Sequence, residues 1–344
     1  MNYSLSSRLF HFKQPAGTSR GVYTTRRSWF VTFTDPSRPG TEGVGECAPL
    51  PNLSCDDIPD YAEVLDNLCD HVAAKGDIDI DLLRPYPSML FGIETALMDL
   101  YSEKGILFDT PFTRGEVGIP INGLVWMGSH EEMLARMEEK IRLGFRCVKF
   151  KIGAIDFEQE MDLIRRVRER FSPAEVEIRL DANGAFSPSE ALDKLQRLFS
   201  FGIHSIEQPI RQHQWVDMAR LCLQSPIPIA LDEELIGVNL KTMKEDLLDT
   251  IRPAYIILKP SLHGGMCGTE EWVNLANQRG IGSWMTSALE SNVGLSAIAQ
   301  LAAKVYGCPP TMPQGLGTGM LFTDNINRPI KMVGTQLFFR SLGV

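Results

Sequence analysis

The chain has 344 residues, 44% hydrophobic and 22% charged, with a formal net charge of −9. That length exceeds what one ordinary core holds and predicts two domains, or one barrel with an addition. The acidic balance argues against broad nucleic-acid binding and against a polybasic membrane patch, although an acidic substrate can still be held where a metal supplies positive charge locally.

Seven cysteines, at 47, 55, 69, 147, 222, 267 and 308, are scattered with no C-x-x-C pair, which argues against a disulfide framework and against a thiolate zinc site. The opening stretch "MNYSLSSRLFHFKQP" has no uninterrupted apolar core of a signal peptide. No apolar run reaches the roughly 18 residues of a spanning helix. A cytoplasmic protein with no membrane partner and no nucleic-acid partner is expected.

In chain order, "SWFVTF" (28–33) reads as a strand, and "FTDPSRPGTEGVGECAPLPNLS" (33–54) is rich in turn residues. "SMLFGIETALMDLYSEKG" (88–105) reads as a largely buried helix ending at Gly105. Hairpin strands followed by helices predict an α+β domain. From about residue 118 the rhythm changes to short apolar strands alternating with helices, from "GIPING" (118–123) and "HEEMLARMEEKIRLG" (130–144) to "GSWMTSALES" (282–291) and "VGLSAIAQLAAKVYG" (293–307). A last strand is expected within 311–323. Ser129 with Glu132, and Ser187-Pro188 with Glu190, fit capping boxes at helix starts. Seven or eight β-α units over about 200 residues predict an α/β fold, a (β/α)7-8 TIM-like barrel with an N-terminal α+β capping domain. An open doubly wound sheet should show a glycine-rich loop after its first strand, and "NGLVWMGSH" (122–130) is not one.

"CVKFKIG" (147–153) carries two lysines on one face of a short strand. Alternation puts Val148, Phe150 and Ile152 on one side, and Cys147, Lys149 and Lys151 on the other. Later strands end in Arg179, Asp181 and Asn183, then Glu207, then Asp232 and Glu233, then Lys259, then Glu290. The intervals from Asp181 to Glu207, to Asp232 and to Lys259 are 26, 25 and 27 residues, one β-α unit each. Equivalent places at C-terminal strand ends are where barrel active sites form. Three carboxylates meeting there repel one another unless a cation joins them. Oxygen donors without His or Cys suit Mg²⁺, with Mn²⁺ as the alternative. Lysines flanking that ion are expected to hold at least one ammonium pKa down, leaving a neutral amine as base. The favoured chemistry is removal of a proton α to a carboxylate.

The motifs "KFK" (149–151), "RLDANGAF" (179–186), "IEQP" (206–209), "ALDEE" (230–234), "ILKPS" (257–261) and "SALESNVGLSAIAQLA" (287–302) resemble the enolase superfamily, in its muconate-lactonizing-enzyme-like subgroup, over essentially the whole chain. That the superfamily uses a Lys or His base with Mg²⁺ is a known pattern. The resemblance implies a capping domain over 1–115, joined by a tail over about 322–344, and a catalytic barrel over 116–321. It implies Asp181, Glu207 and Asp232 as metal ligands, Lys151 and Lys259 as catalytic lysines on opposite faces, and Lys149 as a group polarising the substrate carboxylate. Arg179, Asn183, Glu233, Ser261, Gly264, Ser287, Glu290 and Gly45 are the candidate substrate-binding or supporting residues, and Gly43 and Gly45 are expected to free a cap loop to close.

Within the subgroup, Arg179 before Asp181, "GECAPLP" (45–51) and "SALESNVGL" (287–295) resemble the dehydratases that turn 2-succinyl-6-hydroxy-2,4-cyclohexadiene-1-carboxylate into an aromatic carboxylate. The alternatives are N-succinylamino acid racemase, which shares every catalytic group named here, dipeptide epimerase and muconate cycloisomerase. Dipeptide epimerases usually carry Asp-x-Asp at the eighth strand. "GLGTGMLFTDN" (315–325) has Asp324 and no such pair. The expected partner is a small-molecule carboxylate substrate, and a homo-oligomer is left open.

Overall fold

The computed structural model describes residues 1–18 and 21–340. Strands β1 (Asn2–Thr18), β2 (Gly21–Thr34) and β3 (Glu42–Cys47) form an antiparallel sheet in that order. The β1–β2 register breaks between His11 and Ala16, as a bulge does. Helices α1 (Tyr61–Lys75), α2 (Ile80–Leu83) and α3 (Pro87–Tyr101) follow. Proline opens α3, where no intrahelical N–H is needed. The helix stops at Tyr101 rather than running to Gly105, because Ser102 turns extended. Gly105, at φ +74°, belongs to the turn beyond.

The glycines of β3 do something other than free a loop. A Cβ on Gly43 would stand 2.1 Å from Ala96 O, and one on Gly45 would stand 1.8 Å from Gly92 O. Both glycines lie inside a paired strand. Close contact of α3 with the sheet requires them, and that corrects the expectation of loop freedom at Gly43 and Gly45.

The second sheet begins after a short strand β4 (Ile119–Pro120). It comprises β5 (Gly123–Val125), β6 (Cys147–Lys151), β7 (Glu177–Asp181), β8 (Ser205–Glu207), β9 (Ile229–Leu231), β10 (Tyr255–Leu258) and β11 (Gly282–Met285), parallel and in sequence order. Between them run α4 (His130–Arg142), α5 (Phe157–Arg168), α6 (Pro188–Phe199), α7 (Trp215–Gln224), α8 (Lys241–Ile251) and α9 (Gly265–Asn277), with α10 (Asn292–Tyr306) after β11. The Ser129–Glu132 capping box forms at α4, and Glu190 accepts from Ser187 N at α6. The eighth position is not a ladder. Gln314 and Gly315 make single bridges to Ile121 and Thr286 and close the ring there. Strand β12 (Ile330–Val333) pairs with β13 (Gln336–Phe339), and β13 pairs with β4.

One apolar cluster fills the space between barrel strands and helices. A second lies under β1–β3 and α1–α3. A third joins Phe10, Phe12 and Phe30 to Leu262, Leu289, Val293 and Phe322, so apolar contact holds the N-terminal sheet onto the barrel.

Candidate active site

On β6 the predicted alternation holds. Lys149 and Lys151 point into the ring and are nearly buried. The register carries the pattern onward, since Lys151 faces Asp181 across β6–β7 and Asp181 faces Glu207 across β7–β8. Lys149 Nζ lies 2.8 Å from Asp181 Oδ2 and 2.7 Å from Glu207 Oε2. Lys151 Nζ donates to Asp181 Oδ2 at 2.9 Å and to Asn183 Oδ1 at 2.7 Å. Lys259, just past β10, pairs with Asp232. Asn183, at φ +44°, is a residue type that tolerates the left-handed region, and its Nδ2 donates to Glu233 Oε1 at 2.8 Å. Strands β7, β8 and β9 separate β6 from β10. In a ring of eight positions that sets Lys151 and Lys259 on opposite sides.

These groups edge a cavity of about 490 Å³. Its polar floor includes Lys149, Lys151, Asp181, Asn183, Glu233 and Lys259. Its walls come from Leu50, Leu53, Trp126, Leu289 and Met320. Lys13 to Pro15, which the register break lifts from the β1–β2 ladder, and Ala16, where the ladder resumes, also line it. Such an apolar cavity with few convergent polar groups is the usual form of a small-molecule site.

Electrostatics follow from crowding. Burial, with the nearby Asp181 charge, pushes the Glu207 carboxyl up to about 8. Asp181 is buried too, yet Lys149 and Lys151 hold it below the usual carboxylate range. Burial alone would lower the Lys149 ammonium, but Asp181, Glu207 and Asp232 outweigh it and the direction is up. Lys259 is likewise raised, with Asp232, Glu207 and Glu233 outweighing burial. Without a cation, the carboxylates thus raise both Lys149 and Lys259. The lysines here are the counter-charges of an acidic cluster.

The donor set fits a hard divalent cation in one respect. Glu207 Oε1, Asp232 Oδ1 and Glu233 Oε2 are buried without a hydrogen-bond partner, and buried carboxylate oxygens are costly unless paired or ligating. Among the described residues no three such side chains stand as a formed metal cage. Lys149 bridges Asp181 and Glu207, and Lys259 pairs with Asp232, so ammonium groups supply the positive charge of the cluster.

The other candidates divide. Ser287 lines the cavity and donates to Glu290 Oε2 at 2.7 Å. Glu290, fully buried, also accepts from Ala288 N at 2.8 Å and from Ser261 Oγ. Ser261, Gly264 and Glu290 are buried and form no part of the cavity wall. Gly264 is the left-handed N-cap of α9. Gly45 packs β3 on α3 as described and stays off the cavity. Arg179 shares the inward face with Asp181 but lies one layer deeper. It stacks 4.3 Å over Trp284, donates to Glu177 Oε1 and Pro313 O at 2.7 and 2.9 Å, and does not reach the cavity. The sequence reading missed Lys13–Ala16, Thr286 and Thr318 in the lining. The proline-containing "KQPAG" (13–17) was a turn signal for the first of these.

Residues 132–314 match the enolase C-terminal domain-like family. The chain is 47% identical to o-succinylbenzoate synthase of Desulfotalea psychrophila, over 95% of each chain. It is 29% identical to L-Ala-D/L-Glu epimerase of Bacillus subtilis, over 83% of this chain and 79% of that one. The crystal structure of MenC from Desulfotalea psychrophila superposes with a TM-score of 0.82 at 41% identity, covering 98% of this chain and 99% of that one. A dipeptide epimerase from Enterococcus faecalis, complexed with Mg and a dipeptide, shares the fold with a TM-score of 0.83 at 18% identity, covering 98% and 96%. The chain belongs to the enolase C-terminal domain-like family and, within it, to the o-succinylbenzoate synthases.

Proposed function

We propose that this chain dehydrates 2-succinyl-6-hydroxy-2,4-cyclohexadiene-1-carboxylate to 2-succinylbenzoate, a step of menaquinone biosynthesis carried out in the cytoplasm. The observation that carries the reading is the placement of Lys151 and Lys259 on opposite sides of one cavity, over the Asp181–Glu207–Asp232 cluster. The 47% identity to an o-succinylbenzoate synthase, over 95% of each chain, supports it.

Asp181, Glu207 and Asp232 would hold a divalent cation, Mg²⁺ by preference, which supplies positive charge to the substrate carboxylate as electrons move onto it. Lys149 holds that carboxylate from the β6 side. Lys151, once its ammonium has given up a proton, takes the proton from the ring carbon α to the carboxylate. Lys259, kept protonated, faces the negative charge from the other side. The Lys151 ammonium then returns its proton to the departing hydroxyl, on the same face. One C–H and one C–O bond break, a C=C bond forms and water leaves, with aromatisation driving the second step. Residues 1–115 with the tail serve as the cap, and 116–321 as the catalytic barrel.

An epimerase reading draws no support from Asp324, the one acid of the 315–325 segment. It accepts from Arg8 and His11 N, away from the cavity. The test is a spectrophotometric assay of the purified chain with the diene substrate and Mg²⁺. Rapid loss of diene absorbance is expected. No loss, alongside rapid deuterium uptake by an N-succinylamino acid in D₂O, would move the function to racemisation.

A further inference from the structure

A second set of buried charges stands behind the cavity, outside the lysine–carboxylate cluster. Arg26 of β2 and Glu46 of β3 are almost wholly buried. Both are aimed at the segment 287–291, which joins β11 to α10. Glu46 accepts from Ser291 N at 2.9 Å, Ser291 Oγ at 2.6 Å and Gly294 N at 2.9 Å, and from Ser28 Oγ at 2.7 Å on its own sheet. Arg26 donates to Ala288 O and to Ala48 O. From the barrel side Glu290 accepts from Ser287 Oγ and Ala288 N. The segment is therefore gripped at successive residues by two cap charges and one barrel charge.

What the grip maintains is unfavourable by itself. Leu289 sits at φ +66°, a left-handed conformation that a leucine adopts only where its surroundings over-determine it. Ser287, Ala288 and Leu289 all line the cavity. Gly294 also fits the arrangement. A Cβ there would meet Glu46 Oε2 at 3.1 Å and Glu290 Cβ at 2.8 Å, so the helix leaves room for the incoming carboxylate.

We infer that Arg26 and Glu46 are positioning residues for the substrate: acting from the N-terminal sheet, they fix the 287–289 wall of the cavity and so set substrate binding. The cap thus shapes the pocket from behind as well as over its mouth. A role in mere adhesion of the two sheets would affect how much protein is folded, not how well folded protein binds.

The test is Glu46→Gln, which keeps the size of the side chain and removes the charge and one acceptor. Ser28→Ala, which loosens Glu46 only on its cap side, serves as a milder second variant. Two readouts are taken on the full chain. In hydrogen exchange, amides of 287–294 are expected to exchange at least about ten-fold faster in Glu46→Gln, with those of β6 to β9 unchanged; Ser28→Ala moves the same amides by less. In steady-state kinetics, KM for the diene rises about ten-fold while kcat changes by less than about three-fold. The kinetic arm rests on the dehydration reading and the exchange arm does not. A wild-type chain that leaves the diene untouched therefore sinks that reading alone. Unchanged exchange across 287–294 in both variants overturns the inference, as does a fall in kcat at constant KM that tracks the folded fraction.

Discussion

Lys149 and Lys151 both reach the same oxygen, Asp181 Oδ2, at 2.8 and 2.9 Å. Two ammonium groups two residues apart on one strand can share an acceptor only because their side chains leave the same face of β6. The arrangement gives one strand two roles. Lys149 is tied to two carboxylates, whereas Lys151 is tied to Asp181 and to the neutral Asn183, nearer the cavity.

Lys259 distinguishes elimination from two-base exchange. In dehydration it only faces developing charge, so Lys259→Ala should lower turnover of the diene by roughly 10²-fold. Proton exchange on an N-succinylamino acid, which needs a base on each face, should fall by roughly 10⁴-fold. Equal loss of both activities would make Lys259 a proton carrier in the dehydration as well.

Cation removal should abolish turnover, and it should also be visible without substrate. A cation that joins the buried oxygens of Glu207 and Asp232 binds the folded chain alone. Mg²⁺ at 100 times its dissociation constant should then stabilise the fold by about 2.7 kcal/mol. Thermal unfolding in EDTA and after Mg²⁺ addition measures this. An unchanged transition, with turnover insensitive to EDTA, would remove the cation from the site.

Glu94 makes stability depend on pH. It accepts from Met266 N at 2.6 Å and Cys267 N at 3.1 Å, and burial pushes its carboxyl up to about 7 from an ordinary 4.5. A raised acid pKa means the folded chain holds a proton that the unfolded chain has released. Its contribution is thus fully present below about pH 4.5 and is lost as pH rises through about 7. The loss is on the order of 3–4 kcal/mol. Unfolding midpoints of the wild type and Glu94→Gln between pH 4.5 and 7.5 should show a flatter pH dependence in the variant. Parallel curves would contradict the assignment.

Gly45 tests the packing of the N-terminal sheet. A methyl group there would sit 1.8 Å from Gly92 O, a backbone atom that cannot swing aside. Gly45→Ala should cost about 2–3 kcal/mol or more, read as a lower urea midpoint. A wild-type midpoint would mean that α3 can withdraw from the sheet without loss.

Much of the site was legible in the sequence because one rule applied repeatedly. Period-two alternation placed Lys149 and Lys151 together. Intervals of one β-α unit placed Asp181, Glu207, Asp232 and Lys259 on successive strand ends. The same alternation could not give depth: Arg179 is inward by parity, yet its long side chain turns down to Trp284 and Pro313. Nor could it reveal that Gly43 and Gly45 serve close backbone contact, because glycine reads alike in a flexible loop and a crowded strand. Arg26 and Glu46 act on residues more than 240 positions away, as with Ser291 and Glu46, and no local pattern encodes such a contact. The expected eighth strand shrank to single bridges at Gln314 and Gly315, a stretch interrupted by prolines and glycines that cannot sustain a ladder.

The most direct measurement is the turnover of Lys151→Arg with the diene substrate and Mg²⁺. Arginine keeps the positive charge toward Asp181 but cannot become a neutral base at ordinary pH. Turnover should fall by at least about 10²-fold with the fold intact by circular dichroism. Turnover near the wild-type rate would show that Lys151 does not take the proton.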